Sequence, residues 1–417
     1  MKSRLSWFLV GLMVLVSMGV MARAASSATV EITYYTFSAV PDHLNDLDEI
    51  IKGFEKENPG IRVKVMTASW NDYFTKLQTM IATGTAPDTF ELNYENFVGY
   101  AKRGHLMPLS DLIRKDPTFD GRAYYPRAYE VFRYGGEQYG LVETFSTVVL
   151  FYNRDLFQRA GVAFPTYDWT WADELAAAQK LTNQSQRIWG KWQPVQFWEF
   201  YKVIAQNGGS IFSPDMRQVV VDSPQNVEAL KWLVEPILKY HVSPTNEELA
   251  GQDPVDMFKA GKVAMLHTGI WMFGSYQAAP FSWDIEVEPG NVTKANHFFA
   301  NAVVISRTTK KAEAAWQWIK YFTSSSLAAK VRIRSGWELP ALQDMSLMQD
   351  YLRQTPPSNR RAVFRALENP VVPPVIESWN EMTDVINQQL ELARLGRLTP
   401  EQALRNVKPV LEALLRK

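Results

Sequence analysis

The stretch NDYFTKLQTMIATGTAPDTFELNYENF, residues 71–97, decides the fold because it reads as a helix, a stop and a strand in immediate succession. Tyr73, Leu77, Met80 and Ile81 recur at the spacing of one helical face, and Gly84 followed by Pro87 ends the helix. Residues 89–93 then read as a short strand, with Phe90 and Leu92 able to face a core while Glu91 and Asn93 face the other way. The strand empties into a loop of Tyr94, Glu95, Asn96 and Phe97. In an open α/β sheet ligands bind beyond the carboxyl ends of the strands, so these stacking and hydrogen-bonding side chains stand where a site is expected.

Working outward, residues 30–37 (VEITYYTF) are β-branched and aromatic and predict the strand before it. Leu47, Ile50, Ile51 and Phe54 give a helix over 46–58, closed by Pro59-Gly60, and 61–66 is a second strand. This βαβαβ order predicts an α/β fold with a mostly parallel sheet and helices on both faces. Further on, 139–152 (YGLVETFSTVVLFY) reads as one extended stretch whose polar patch, Glu143, Thr144 and Ser146, suggests a crossing between domains beside a cleft. Thr170 caps a helix to 181, Ser223-Pro224 opens one to about 240, and Thr399 with Gln402 stands at capping-box spacing ahead of a helix that Pro409 should kink. Short strands are expected at 263–266, 284–287 and 302–306. Helices follow at 312–322, with Trp316 and Trp318 as packing residues, and at 377–395.

A chain of 417 residues exceeds one ordinary core, so two domains are expected. Lys plus Arg and Asp plus Glu are both 44, which argues against nucleic acid as a partner. The absence of cysteine removes disulfides, thiolate metal sites, a Cys nucleophile and a lipid-modified terminus. Residues 1–28 read as a cleavable leader: Lys2 and Arg4, an apolar run over 7–21 too short to span a bilayer, and the small-x-small site Ala22-Arg23-Ala24. Its removal would leave 41 basic residues against 44 acidic ones, and a free periplasmic protein, monomeric, is the expectation. A bulky core absorbs many of the aromatics, but 14 Trp exceed what packing alone usually demands and favour a stacking surface.

Six segments together resemble the bacterial extracellular solute-binding proteins of the maltose and glycerol-phosphate class, which serve ABC importers. They are FEKENPGIRVKV at 54–65, LQTMIATGTAPD at 77–88, FYNRDLFQRAG at 151–161, QNGGSIF at 206–212, FKAGKVAMLHTGIW at 258–271 and VVISRTTKKAEAAWQWIKYFTS at 303–324. The resemblance implies two α/β lobes joined by three crossings, near 142–146, 299–301 and 324–328. One lobe would then comprise 29–142 with 300–325, and the other 146–298 with 328–417. It further implies a ligand held between the lobes and delivered to a permease in the inner membrane.

The positions matching that family's ligand contacts are Tyr73, Tyr94 and Glu95 in the first lobe and Glu143, Ser146 and Asn301 at the crossings. Trp198, Trp271, Trp337 and Trp379 match in the second lobe. Phe37, Trp70, Glu91 and Asn93 join them by their place at element ends. Members that take a phosphate-bearing ligand carry a cation at the head of the terminal helix. Here the head is Glu377-Ser378-Trp379-Asn380, which favours a neutral sugar. Sugars offer apolar faces to flat rings and hydroxyls to carboxylates and amides, the chemistry these candidates hold. Tyr73 sits on an apolar stripe, so packing and stacking both remain open for it.

The rival reading is a secreted glycoside hydrolase using two carboxylates such as Glu91 and Glu143. Against it and against metal chemistry, the His residues at 43, 105, 241, 267 and 297 form no HExxH or close pair, and neither GxSxG nor a phosphate-cradling loop occurs. No cofactor or metal is expected. A structural or adhesive protein would need repeats or an anchor, and neither is seen.

Overall fold

The computed structural model describes residues 29–38, 41–336 and 339–416. The expected leader at 1–28 and the candidate Trp337 lie outside the described residues.

The strands, in chain order, are β1 (Val30–Thr36), β2 (Ile61–Thr67), β3 (Thr89–Asn93), β4 (Arg133–Tyr134), β5 (Glu137–Gln138), β6 (Gly140–Ser146), β7 (Val148–Asn153), β8 (Met265–Gly269), β9 (Trp283–Glu286), β10 (Asn296–His297), β11 (Phe299–Ile305), β12 (Leu339–Pro340) and β13 (Pro370–Val371). Six of them form one sheet in the order β12-β6-β11-β3-β1-β2. Its parallel half is the βαβαβ unit read from sequence: β1 lies parallel to β2 and β3, and the helices Pro41–Glu57 and Trp70–Ala82 make the crossovers. The other half is antiparallel and non-local, because β11 returns from far along the chain to lie between β3 and β6. A second sheet, β8-β7-β9, is antiparallel throughout.

β6 and β7 were expected as one stretch. The chain instead breaks at Thr147 and passes there from the six-stranded sheet to the three-stranded one. The Thr147 hydroxyl donates to the His297 carbonyl at 2.7 Å and so spares the buried break an unmet donor. Helices make up most of the second half. Those at Phe197–Gln206, Pro224–Leu238, Trp379–Arg394 and Pro400–Leu415 close around their own core of Phe200, Leu230, Met382, Ile386, Leu404 and Leu411. Thr170 with Asp173 and Thr399 with Gln402 form the reciprocal caps that satisfy two first-turn donors each. Ser223 takes the expected N-cap position but makes no side-chain cap bond, and the helix carrying Pro409 runs on through it to Leu415.

Two expectations need correction. Tyr94, Glu95, Asn96 and Phe97 are not a loop: they open the helix Tyr94–Lys102, because Phe97 and Tyr100 turn inward at helical spacing onto Phe132 and Phe90. The third crossing, expected at 324–328, is also displaced. The helices Ala312–Ser324 and Ser326–Ser335 meet at Ser325, and the second stays with the first lobe. It packs on Pro41–Glu57, with Leu327 lying over Gly53, where an added Cβ would come within 2.3 Å of it. β12 then extends the six-stranded sheet beside β6, so the chain leaves this lobe only after Pro340.

Candidate ligand-binding cleft

A cavity of about 430 Å³ opens between the helix Tyr94–Lys102 and the head of the helix Trp379–Arg394, within the size range of small-ligand pockets. Glu95, Asn96, Arg103 and His105 line one side, Trp379 and Asn380 the other. At its mouth Lys102 Nζ reaches Glu377 Oε2 at 2.6 Å, and both groups are half-exposed, so solvent screens the pair. That contact neutralises Glu377 at the helix head.

The second-half side is a continuous aromatic wall. Trp198, in the first turn of Phe197–Gln206, stands 5.8 Å from Trp379 and 5.6 Å from Phe299, and Phe299 stands 5.9 Å from Trp271. Trp271 reaches its place because the end of β8 is glycine: a Cβ on Gly269 would sit 2.1 Å from the indole. Trp198 and Trp271 remain partly exposed, whereas Trp379 is braced by Phe197 at 5.2 Å and is 7% exposed.

Unpaired polar atoms accompany the wall. Glu95 is buried; Asn93 donates its amide to one carboxylate oxygen, and the other has no partner among the described residues. Burial raises its carboxyl to about 7 against that hydrogen bond. Tyr201, one turn along from Trp198, is buried with its hydroxyl unpartnered among the described residues. Burial first, then the Glu95 charge, raise its phenol well above the usual range. His297 donates from Nε2 to the Trp198 carbonyl at 2.7 Å, which leaves Nδ1 as an acceptor without a partner among the described residues. Its ring stacks on Phe299 at 4.9 Å, and burial keeps it neutral by lowering its pKa. Buried polar groups normally find partners, so the unpaired Glu95 oxygen at the cavity is what a polar ligand group would satisfy.

The candidates divide accordingly. Glu95 and Trp379 line the cavity, Trp198 adjoins Trp379, Trp271 joins them only through Phe299, and Tyr94 is partly buried beside Glu95. Asn93 acts on Glu95 and takes the Asn96 amide on its own oxygen, so it orients the carboxylate. Phe37 and Trp70 meet at 4.9 Å near Phe74, and Trp70, 45% exposed, offers an apolar shelf at the end of β1. Tyr73 is a core residue: fully buried, stacked on Tyr35 at 4.3 Å, its hydroxyl donating to the Tyr35 and Glu91 carbonyls. Glu91 is also turned inward, accepting from Thr36 Oγ1 at 2.6 Å and from the Phe37 amide, and so fastens the end of β1. Glu143 faces Arg332 at 2.8 Å with both side chains 2% exposed, and burial raises its carboxyl despite the adjacent guanidinium. Ser146 and Asn301 are ladder residues, Ser146 opposite Phe299 and Asn301 between Asn93 and Thr144 at a bulge. Tyr201, His297 and Phe299 escaped sequence reading. Only Tyr201, at helical spacing from Trp198, left a usable signal.

Two lobes, each with its own sheet, meeting over a cleft with a stacking wall on one side and a carboxylate on the other, define a two-lobed solute-binding protein. The chain belongs to the bacterial extracellular solute-binding protein family, whose model matches residues 41–329. It is similar to an ABC substrate-binding protein from Listeria monocytogenes solved with cycloalternan, at 50% identity and a TM-score of 0.90, covering 92% of this chain and 98% of that one. The maltodextrin-binding protein of Bacillus subtilis (strain 168) is 24% identical over 300 residues, 70% of each chain. A maltose-bound T. maritima protein shares the fold at 20% identity, with a TM-score of 0.79 over 93% of this chain and 99% of that one. Among the described residues no helix is long and apolar enough to cross a membrane.

Proposed function

We propose that this protein is the periplasmic receptor of an ABC importer and binds a neutral oligosaccharide between its lobes, with cycloalternan the first ligand to test. The observation that carries the reading is the run of rings from Trp271 through Phe299 and Trp198 to Trp379, which shares a cavity with Glu95 and its oxygen left unpaired among the described residues. Four rings give flat apolar area for successive sugar faces, and the orphaned atoms of Glu95, Tyr201 and His297 give hydroxyls their partners. The likeness to the cycloalternan-bound protein supports the choice of ligand.

In this reading residues 1–28 direct secretion, the mature protein is a monomer, and its crossings lie near 142–146, 299–301 and beyond 340. Ligand contacts made only when the lobes close would stabilise the closed form, which the permease then meets. The chain acts as a carrier and not a hydrolase: the carboxylates an enzyme reading would use, Glu91 and Glu143, are turned inward and held by Thr36 and Arg332. A thermal-shift panel of cycloalternan, maltodextrins, arabinooligosaccharides and mannotriose tests the proposal. A true ligand at ~100-fold above its Kd should stabilise the fold by about 2.7 kcal/mol. No shift with any sugar, or multiple-turnover release of reducing ends, overturns it.

A further inference from the structure

Behind the aromatic wall lies a group of six charged side chains that the binding contacts do not use. His267 places Nδ1 2.6 Å from Glu288 Oε1 and Nε2 2.7 Å from Glu174 Oε1. Lys191 Nζ lies 2.7 Å from Glu174, and Lys202 Nζ lies 2.6 Å from Glu288 and 2.8 Å from Glu199. Gln193 bridges the ends, accepting from Lys191 and donating to Glu199. None of the six side chains is more than 5% exposed.

With the carboxylates and both lysines ionised, the charges balance only when His267 is protonated. Three carboxylates face two ammonium groups, so the set is neutral when the His267 imidazole carries a proton on both nitrogens. Its geometry asks for that form, since each nitrogen meets a carboxylate oxygen, which accepts and cannot donate. Burial alone would lower the His267 pKa, but the Glu174 charge and the hydrogen bonds to Glu174 and Glu288 outweigh it and raise it. Glu174 is held at about 2, and Glu288 far below the carboxylate range, chiefly by Lys202 against burial.

The segments that bear Trp198 and Trp271 are fastened to this set directly, and the one that bears Phe299 through His297. Glu199 and Lys202 alternate with Trp198 and Tyr201 on the helix Phe197–Gln206. His267 lies in β8, which runs into Trp271. Glu288 follows β9, and its neighbour His297 in β10 stacks on Phe299. We infer that the buried network positions the ligand wall, with His267 and Lys202 setting affinity without touching the ligand. A buried pair that loses one partner leaves an uncompensated charge, so neutralising His267 alone should pull these segments apart. The groups facing His267 are Glu174 from the helix Trp171–Leu181, Lys191 from the segment before Gln193, Glu199 and Lys202 from Phe197–Gln206, and Glu288 beyond β9. The sign follows from the raised pKa: the support is complete below the unfolded value near 6.5 and is lost as pH rises through the folded one.

The affinity readout rests on the carbohydrate reading above; the spectroscopic one does not. On the full chain, nitrogen NMR of labelled histidine should show His267 doubly protonated at about pH 7, its signal being the one lost in His267→Gln. Near-UV circular dichroism of the wall, and cycloalternan affinity, should both decline as pH rises through the His267 transition. His267→Gln should weaken cycloalternan by roughly tenfold and flatten the pH profile. The charge-balanced double variant Glu174→Gln/His267→Gln should recover most of that loss, which a packing role would not predict. A double variant no better than the single one, or a neutral His267 with a pH-independent wall signal, overturns the inference. Where His267→Gln fails to fold, the wild-type NMR and dichroism profiles decide. If no sugar binds, the carrier reading fails and those same two profiles decide this one alone.

Discussion

The two sides of the cleft are built differently. On the first-lobe side, polar residues around β3 are largely spent on the fold: Glu91 holds Thr36, Tyr73 caps two carbonyls and Glu143 holds Arg332 through one oxygen, whereas Glu95, with no cation beside it, lines the cavity with an oxygen unmet among the described residues. On the second-lobe side the rings face outward and the charges lie behind them, closed into a neutral set. A carboxylate at a strand end is thus no guide to contact with ligand. What matters is whether the surrounding sheet has already satisfied it.

The sharpest way to break this contrast is Arg332→Met. Removing the partner of a buried carboxylate should cost about 3–5 kcal/mol of stability in urea unfolding, while affinity per folded molecule holds. A selective loss of affinity would return Glu143 to the site. Trp198→Ala tests the other side: with its ring partly exposed, the fold should persist while calorimetry shows roughly 2 kcal/mol of binding lost. Affinity unchanged in that variant would remove Trp198 from the wall.

Glu95→Gln sharpens the comparison through pH. Because burial raises the Glu95 carboxyl to about 7, its contribution to stability is full below the unfolded value near 4.3 and falls as pH rises through 7. The variant should therefore be more stable than wild type at alkaline pH by about 1–3 kcal/mol and lack that slope, as thermal melts across pH would show. Equal slopes in both proteins would mean that Glu95 is solvated. Smallest of all should be Lys102→Ala: a slight change in the dissociation rate, removed by salt because the pair with Glu377 is exposed. A salt-insensitive effect there would mean that Lys102 touches ligand.

Local pattern was enough for much of this. The period of Tyr73, Leu77 and Met80, the stop at Gly84 and Pro87, and the reciprocal caps at Thr170 and Thr399 all depend on residues a few places apart, and the parallel half of the sheet followed from their order. The three tryptophans of the proposed wall were picked out by the resemblance to the family and not by local pattern, which offers core packing for such rings equally well. Tyr94 to Phe97 read as a loop because its inward face becomes visible only against Phe90 and Phe132.

By itself, then, the sequence determined the α/β class, the strand-helix order around residues 71–97 and the family. Tertiary structure alone decided which carboxylates are free. Thr36 meets Glu91 across 55 residues and Arg332 meets Glu143 across 189, and such long-range pairing consumes lone pairs without leaving a mark in local spacing. It also decided that His267, Glu174 and Glu288, scattered along the chain, form one buried set. Burial makes an unpaired charge so costly that the fold must bring its partners to it from wherever they lie.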